Sequence, residues 1–351
     1  GEPVDLKVKS GPSGDRRGHS FDHVIPRSLG GPDTLDNLIT ECKAMGACFF
    51  GILGGEPLLY DGLFEVFEKH PDCYFLLFTN GTLITDDVAK EMRRIGNISP
   101  LISIEGLEEV SDVRRGGTDV YAQTLEGLAN CKKHRLVTGV CTSVCKSNLD
   151  DLASEKFVND VAALGAHYLW YYIYRPVGPQ PTPELALDPD EITALRRFIV
   201  DTRRTAPLVV VDAYWNDKGE AMCPAAVGMA NHISPDGYVE PCPPLQFAKD
   251  NIGDGTDLFD LFNNSEFLKS FRTMCTDTTR GCIIMDHPDV LSRFIKEKEA
   301  IDSSGRDTFV AELDAMCACC SHHQPGEEIP ESSWAYRFAK KNWFFGFGAY
   351  G

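Results

Sequence analysis

The chain has 351 residues, 43% of them hydrophobic and 25% charged, with a formal net charge of −18. That composition supports one sizeable core plus a smaller module. The negative charge opposes broad binding to phosphate backbones, and the first forty residues, with five Lys/Arg against six Asp/Glu, make no basic patch. No run of 18 apolar residues is present, so neither a membrane nor nucleic acid is an expected partner. The thirteen cysteines are an odd count in a long chain without a visible secretion signal. They read as thiols of a reducing cytoplasm rather than a disulfide scaffold. The chain opens on Gly1, which leaves an upstream leader open.

In chain order, the first expected strand is "VDLKVK", residues 4–9, which alternates with period two. It is followed by "FDHVIPRSLGGPDTLDNLITEC" and then by a helix expected over Thr34 to Met45. Apolar strand-like runs follow at residues 48–53, 73–81, 101–106, 137–145, 168–176 and 208–215. Between them, 61–70, 86–95, 120–134, 150–164 and 188–202 carry helical spacing. Continuous apolar strands alternating with helices predict a parallel sheet covered by helices, in an open or partial barrel. Its ligands belong at the C-terminal ends of the strands.

Polar groups recur at those ends. "GGEP", Gly54, Gly55, Glu56 and Pro57, closes the second strand: two glycines let a ligand approach the backbone, and Glu56 offers an acceptor for an ammonium group. Asn80 in "FTNGTLI", Ser103 and Glu105 in "SIEG", and Arg114 and Arg115 in "DVRRG" follow. The two arginines read equally well as a solvated basic turn. After Trp215 a hairpin around Pro235-Asp236-Gly237 is flanked by Cys223 and Cys242, with Cys275 and Cys282 further on. Four cysteines at this density suit a tetrahedral thiolate site for zinc or iron–sulfur. "CACCSHH", residues 317–323, is a further soft-ligand tract or a plain surface segment. The aromatic tail from Trp334 is expected to pack back onto the body.

From about Leu38 onward the chain resembles radical S-adenosylmethionine (SAM) enzymes with a SPASM/twitch-like auxiliary module. The resemblance implies an α/β fold, a radical-SAM-type partial (β/α) barrel with a small C-terminal cysteine-rich module. It divides the chain into an atypical segment 1–43, a barrel 44–215, an auxiliary module 216–330 and a tail 331–351. It implies SAM contacts at Gly54, Gly55, Glu56, Pro57, Asn80, Ser103, Glu105 and Arg114, and an auxiliary 4Fe–4S cluster on Cys223, Cys242, Cys275 and Cys282. It names no catalytic residue. The parental activity is reductive cleavage of SAM to a 5′-deoxyadenosyl radical, with a small-molecule or peptide substrate and an electron donor such as flavodoxin or ferredoxin.

The family's CxxxCxxC triad holds the SAM-binding 4Fe–4S cluster just after the first strand. Here the window from Ser10 to Leu35 contains no cysteine, and Cys42 and Cys48 have the wrong spacing. The same window resembles half of an HNH endonuclease motif, with Asp22 as metal ligand, His23 as base and Asn37 holding the loop. Met45 and Gly46 stand where that motif needs a cysteine and its last ligand. Three readings stay open: a radical SAM enzyme impaired by the missing triad, a non-catalytic SAM- or Fe–S-binding relic, and an HNH-type nuclease. A divergent or recombined N-terminus and a fragment explain the missing triad equally well.

Overall fold

A computed structural model describes residues 20–24 and 32–342, apart from 116, 117, 229, 256 and 327. The expected strand 4–9 and the last nine residues of the tail lie outside the described residues.

The first strand described is β1 (Ser20–Val24), inside the stretch read as HNH-like, and α1 (Pro32–Ala44) follows it. Then come β2 (Phe49–Leu53), α2 (Leu63–Lys69), β3 (Tyr74–Thr79), α3 (Asp86–Ile95) and β4 (Ile98–Ser103). The next elements are α4 (Glu108–Arg115), α5 (Val120–Lys133), β5 (Gly139–Val144), α6 (Leu149–Leu152) and α7 (Glu155–Leu164). They lead into β6 (Tyr168–Ile173), α8 (Pro189–Thr202) and β7 (Val209–Val211). The single helix expected over 150–164 is two, because Ser154 accepts a hydrogen bond from Phe157 N–H and starts a new helix there. By contrast, α3 has the expected bounds: Thr85 caps it in front and the left-handed Gly96 (φ 86°) stops it.

The sheet order is β7-β6-β5-β4-β3-β2-β1-β8-β9, and β1 to β7 pair in parallel throughout. The remaining strands are β8 (Ala230–Ile233) and β9 (Val239–Glu240), joined by the Pro-Asp-Gly turn with Gly237 at φ 83°. They form the expected antiparallel hairpin, and it extends the same sheet: β8 pairs in parallel with β1. Period-two alternation divides the strand side chains. Phe50, Ile52, Phe75, Leu77, Ile102, Val140, Leu169 and Val210 pack under the helices in the main core. Phe49, Leu76, Leu101, Cys141, Trp170 and Val211 form a separate cluster on the other face, the inner wall of the barrel.

The C-terminal part adds β10 (Phe247–Ala248), α9 (Leu258–Asn264), α10 (Glu266–Thr278), α11 (Ile283–Asp286), α12 (Pro288–Glu297) and β11 (Ile301–Asp302), which pairs with β10. The last helices are α13 (Phe309–Asp314) and α14 (Trp334–Asn342). As expected of the tail, α14 docks on the barrel. Lys340 is 1% exposed, and the Tyr336 hydroxyl accepts the Val210 N–H on β7. No helix among the described residues is long and apolar enough to cross a membrane.

Candidate functional site

The C-terminal ends of β2 to β6 gather the strand-end residues expected from the sequence. Gly54 and Gly55 are exposed, and a Cβ at either position would meet no atom within 4 Å. Their backbone therefore borders open space, as a ligand-contacting loop requires. The Glu56 carboxylate does not face that space freely. It accepts from Leu58 N–H (3.1 Å), the Thr79 hydroxyl (2.8 Å) and Asn80 N–H (2.9 Å), bracing the β2 loop against the end of β3. The ammonium-acceptor role expected of Glu56 thus competes with a structural one. Pro57 is buried and starts a short 3-10 turn. Asn80 turns its side-chain oxygen back to Thr82 N–H and hydroxyl.

The next strand ends, those of β4 and β5, carry a second group built around Glu105 and Arg114. Glu105 accepts from Ser143 N–H (3.1 Å), and Arg114 lies 3.7 Å from the same carboxylate oxygen. Arg114 also donates to Ser143 O (3.3 Å) and Cys145 Sγ (2.6 Å), and its guanidinium sits 5.4 Å from the Tyr174 ring centroid. The segment read alternatively as a solvated turn is therefore helix α4, with Arg114 half-buried against the barrel. The Arg115 side chain lies outside the described residues. Ser103 contacts Cys141 Sγ at 3.4 Å on the inner wall.

Asn148 was not expected. Read from the sequence it is only a helix start, yet its side chain makes no cap. It is 1% exposed, accepts from Cys145 N–H (2.7 Å) and donates to Glu105 O (2.8 Å) and Ser143 O (3.1 Å). It therefore fixes the ends of β4 and β5 on which Glu105 and Arg114 rest. Asn148→Ala removes all three bonds from buried groups, at about 1–3 kcal/mol. Urea unfolding measures the loss, and an unchanged midpoint would remove Asn148 from this role.

The second set of residues is the thiols. Cys223 follows the short bridge between Trp215 and Ala221, Cys242 follows β9, Cys275 lies on α10 and Cys282 precedes α11. They lie within electrostatic reach of one another. Burial, with Cys282 beside it, pushes the Cys223 thiol up to about 11. Burial together with Cys223 and Cys282 raises Cys242 and Cys275 as well. Arg175, just past β6, was missed in the sequence because "YRP" reads as a strand exit. Burial opposes its charge, but Tyr214, Cys282 and Cys242 around it hold the guanidinium firmly protonated. It donates to the Tyr214 hydroxyl at 3.4 Å and to Cys282. His322, from the Cys/His tract, packs tilted against Tyr214 with ring centroids 4.8 Å apart, and burial lowers it to about 3, a neutral ring. Among the described residues, no three His, Cys, Asp or Glu side chains converge in a metal-holding geometry. The four thiols share a neighbourhood without closing on a common point.

The fit to the implied cofactors divides accordingly. The open space over Gly54 and Gly55 and the polar strand ends suit SAM. The SAM-binding cluster is not matched: residues 25–41 carry no cysteine. Cys42 is fully buried in α1, its thiol pushed up to about 12 first by burial. Cys48 precedes β2, at the opposite end of the strands from the pocket. The HNH-like pair Asp22 and His23 falls on β1, where only the backbone is described, and Asn37 is an exposed residue of α1.

Comparison with known proteins gives the same assignment for the barrel. The Radical SAM superfamily model matches residues 25–154. The chain is 28% identical over 117 residues to an Fe-coproporphyrin III synthase of Methanosarcina barkeri, covering 33% of this chain and 29% of that protein. It is 28% identical over 139 residues to an AdoMet-dependent heme synthase of the same organism, covering 38% of this chain and 40% of the relative. These matches span well under half the length of those relatives. Streptococcus suis SuiB bound to SAM superposes with a TM-score of 0.59 at 16% identity, over 73% of this chain and 68% of SuiB. SuiB bound to its precursor peptide SuiA gives 0.59 at 15%, over 72% and 66%. At that identity the likeness concerns the fold. Residues 25–154 thus match the Radical SAM superfamily model, and the chain has a partial-barrel α/β fold like that of its structural neighbours.

Proposed function

We propose that this chain binds SAM at the C-terminal ends of β2 to β6 but is impaired in the family's reductive cleavage, because it supplies no thiolate set beside that pocket. The observation that carries this reading is the placement of the two cysteines that follow the triad window, together with the burial of Cys145 at the end of β5, where Arg114 holds its thiol. Cys42 is sealed in the core and Cys48 is at the far end of the strands. In this reading the bare backbone at Gly54 and Gly55 takes the aminoacyl end of SAM. Glu56 stays committed to β3 and holds that loop in place. Arg114, oriented by Glu105 and Ser143, faces the SAM carboxylate. Cys223, Cys242, Cys275 and Cys282 would hold an auxiliary Fe–S cluster or a zinc ion, which supplies redox or structural chemistry when bound. Their nearness to one another and to Arg175 supports that role.

The test exploits the empty space over the glycines. Gly55→Val introduces a side chain whose Cβ clashes with nothing in the free protein, so the thermal midpoint is expected to hold. SAM binding by calorimetry is expected to be lost. Unchanged SAM affinity in the folded variant, or no affinity in the wild type, would reject the reading.

One observation favours a particular substrate class. The inner wall is ring-lined: Phe49 stacks on Tyr74 (6.0 Å), and Trp170 on Tyr172 (5.4 Å) with Phe78 beside it (6.4 Å). Such a wall suits a flat macrocycle, in line with relatives named for coproporphyrin and heme, more than an extended peptide.

A further inference from the structure

Three thiols outside both sites meet at the N-terminal ends of the strands. Phe49 of β2 lies opposite Tyr74 of β3 in the parallel register. One residue earlier, Cys48 therefore faces Cys73, and Tyr74 N–H donates to Cys48 O at 2.8 Å. Residues opposite one another on neighbouring strands are about 5 Å apart, inside the Cα range a disulfide spans. The pleat points both cysteines to the side of Phe50 and Phe75, whose stacked rings, 5.7 Å apart, confirm the shared face. Their environments differ: Cys48 is exposed, and Cys73 is 3% exposed. Burial first, then Asp72 and the nearby Cys48, pushes the Cys73 thiol up to about 11. Cys42, fully buried on α1, stands behind Cys73.

We propose that Cys48 and Cys73 are a thiol–disulfide pair that closes across the N-terminal ends of β2 and β3 when the protein meets a small disulfide such as glutathione disulfide. The Cys48 thiolate attacks one glutathione sulfur, the S–S bond breaks, and glutathione thiolate leaves. Cys73 then attacks the Cys48 sulfur of the mixed disulfide. Its proton passes to the second departing glutathione. Two protein thiols are oxidised and one glutathione disulfide is reduced to two thiols. The order follows from access: only Cys48 is reachable from solvent, and only Cys73 is placed to resolve it. The link lies at the end of the barrel opposite the SAM pocket, so it is a modification of the scaffold.

The test is a peptide map of the full chain after incubation with glutathione disulfide, with free thiols blocked and no reductant in the digest. The expected result is a Cys48–Cys73 linked pair two hydrogens lighter than the separate peptides, with both cysteines losing alkylation together. Cys48→Ser, an exposed change that leaves the core intact, is expected to abolish the link and leave Cys73 a thiol. Three results would overturn the proposal: stable glutathione on Cys48 with Cys73 still free, a Cys42–Cys73 link instead, or both thiols fully alkylated.

Discussion

Glu331→Gln is expected to destabilise the protein by about 3–5 kcal/mol, enough to unfold a marginal domain. Glu331 and Asp212 are the two carboxylates of a buried cluster with three cations, Arg196, Arg203 and Lys340, all at most 6% exposed. Arg203 pairs with both carboxylates at 2.5 Å, and Arg196 pairs with them at 3.2 and 2.9 Å. Lys340 lies 3.1 Å from each. Removing one anion leaves three buried cations against one, and unpaired buried charge is the costly case. Lys340→Met removes the excess cation instead, leaving two against two. It forfeits the bonds to Trp215 O and to the two carboxylates, about 1–3 kcal/mol, but leaves no uncompensated buried charge. Chemical denaturation of the two variants should rank them in that order, and the reverse ranking would refute the charge argument.

The same cluster sets a pH dependence. Despite burial, Arg203, Lys340 and Arg196 hold the Asp212 carboxyl well below its ordinary 3.8, and the same three cations hold Glu331 below 4.5. The folded state thus binds fewer protons than the unfolded chain in acid. The stabilisation is complete above about pH 4.5 and is lost as pH falls through the lowered folded values. Lys340 acts in the alkaline range. Burial, with Arg203 and Arg196, brings it down to about 8 from 10.5 against the pull of Asp212 and Glu331. Between those values the unfolded chain holds the extra proton, so this group's contribution to stability rises with pH.

The second large effect concerns chemistry. Reduced, anaerobically reconstituted protein is expected to give no 5′-deoxyadenosine above the protein-free background, while still binding SAM. The residues proposed to orient SAM stand at the strand ends, but binding alone would supply no electron. Product at a rate typical of enzymes, one turnover per second or faster, would mean that some other side chains serve the pocket.

Much of this architecture is legible in the sequence, for physical reasons that also explain the failures. Strands β2 to β7 are apolar runs because both of their faces are covered, one by helices and one by the inner wall. β1 was missed because "SFDHV" is short and sits among loop-like residues. The α4 segment "EEVSDVRR" offers only two apolar residues, too few for a periodic signal, so Arg114 read equally well as a SAM contact or a solvated turn. Glycines and strand-end carboxylates stand out by type, whereas Asn148 and Arg175 act through contacts with distant strands and thiols. The buried cluster is the clearest such case. Arg196 and Arg203 look like the polar face of α8, and only folding brings Glu331 and Lys340, more than 120 residues away, against them.

The most direct test of the account is iron and sulfide content after anaerobic reconstitution, read with the EPR spectrum of the reduced protein with and without SAM. The account predicts no more than about four irons per chain, held by the Cys223–Cys282 group, and a spectrum unmoved by SAM. About eight irons and a signal shifted by SAM would contradict it, because a cluster would then stand in the pocket, where this chain offers the buried Cys145 but no CxxxCxxC set.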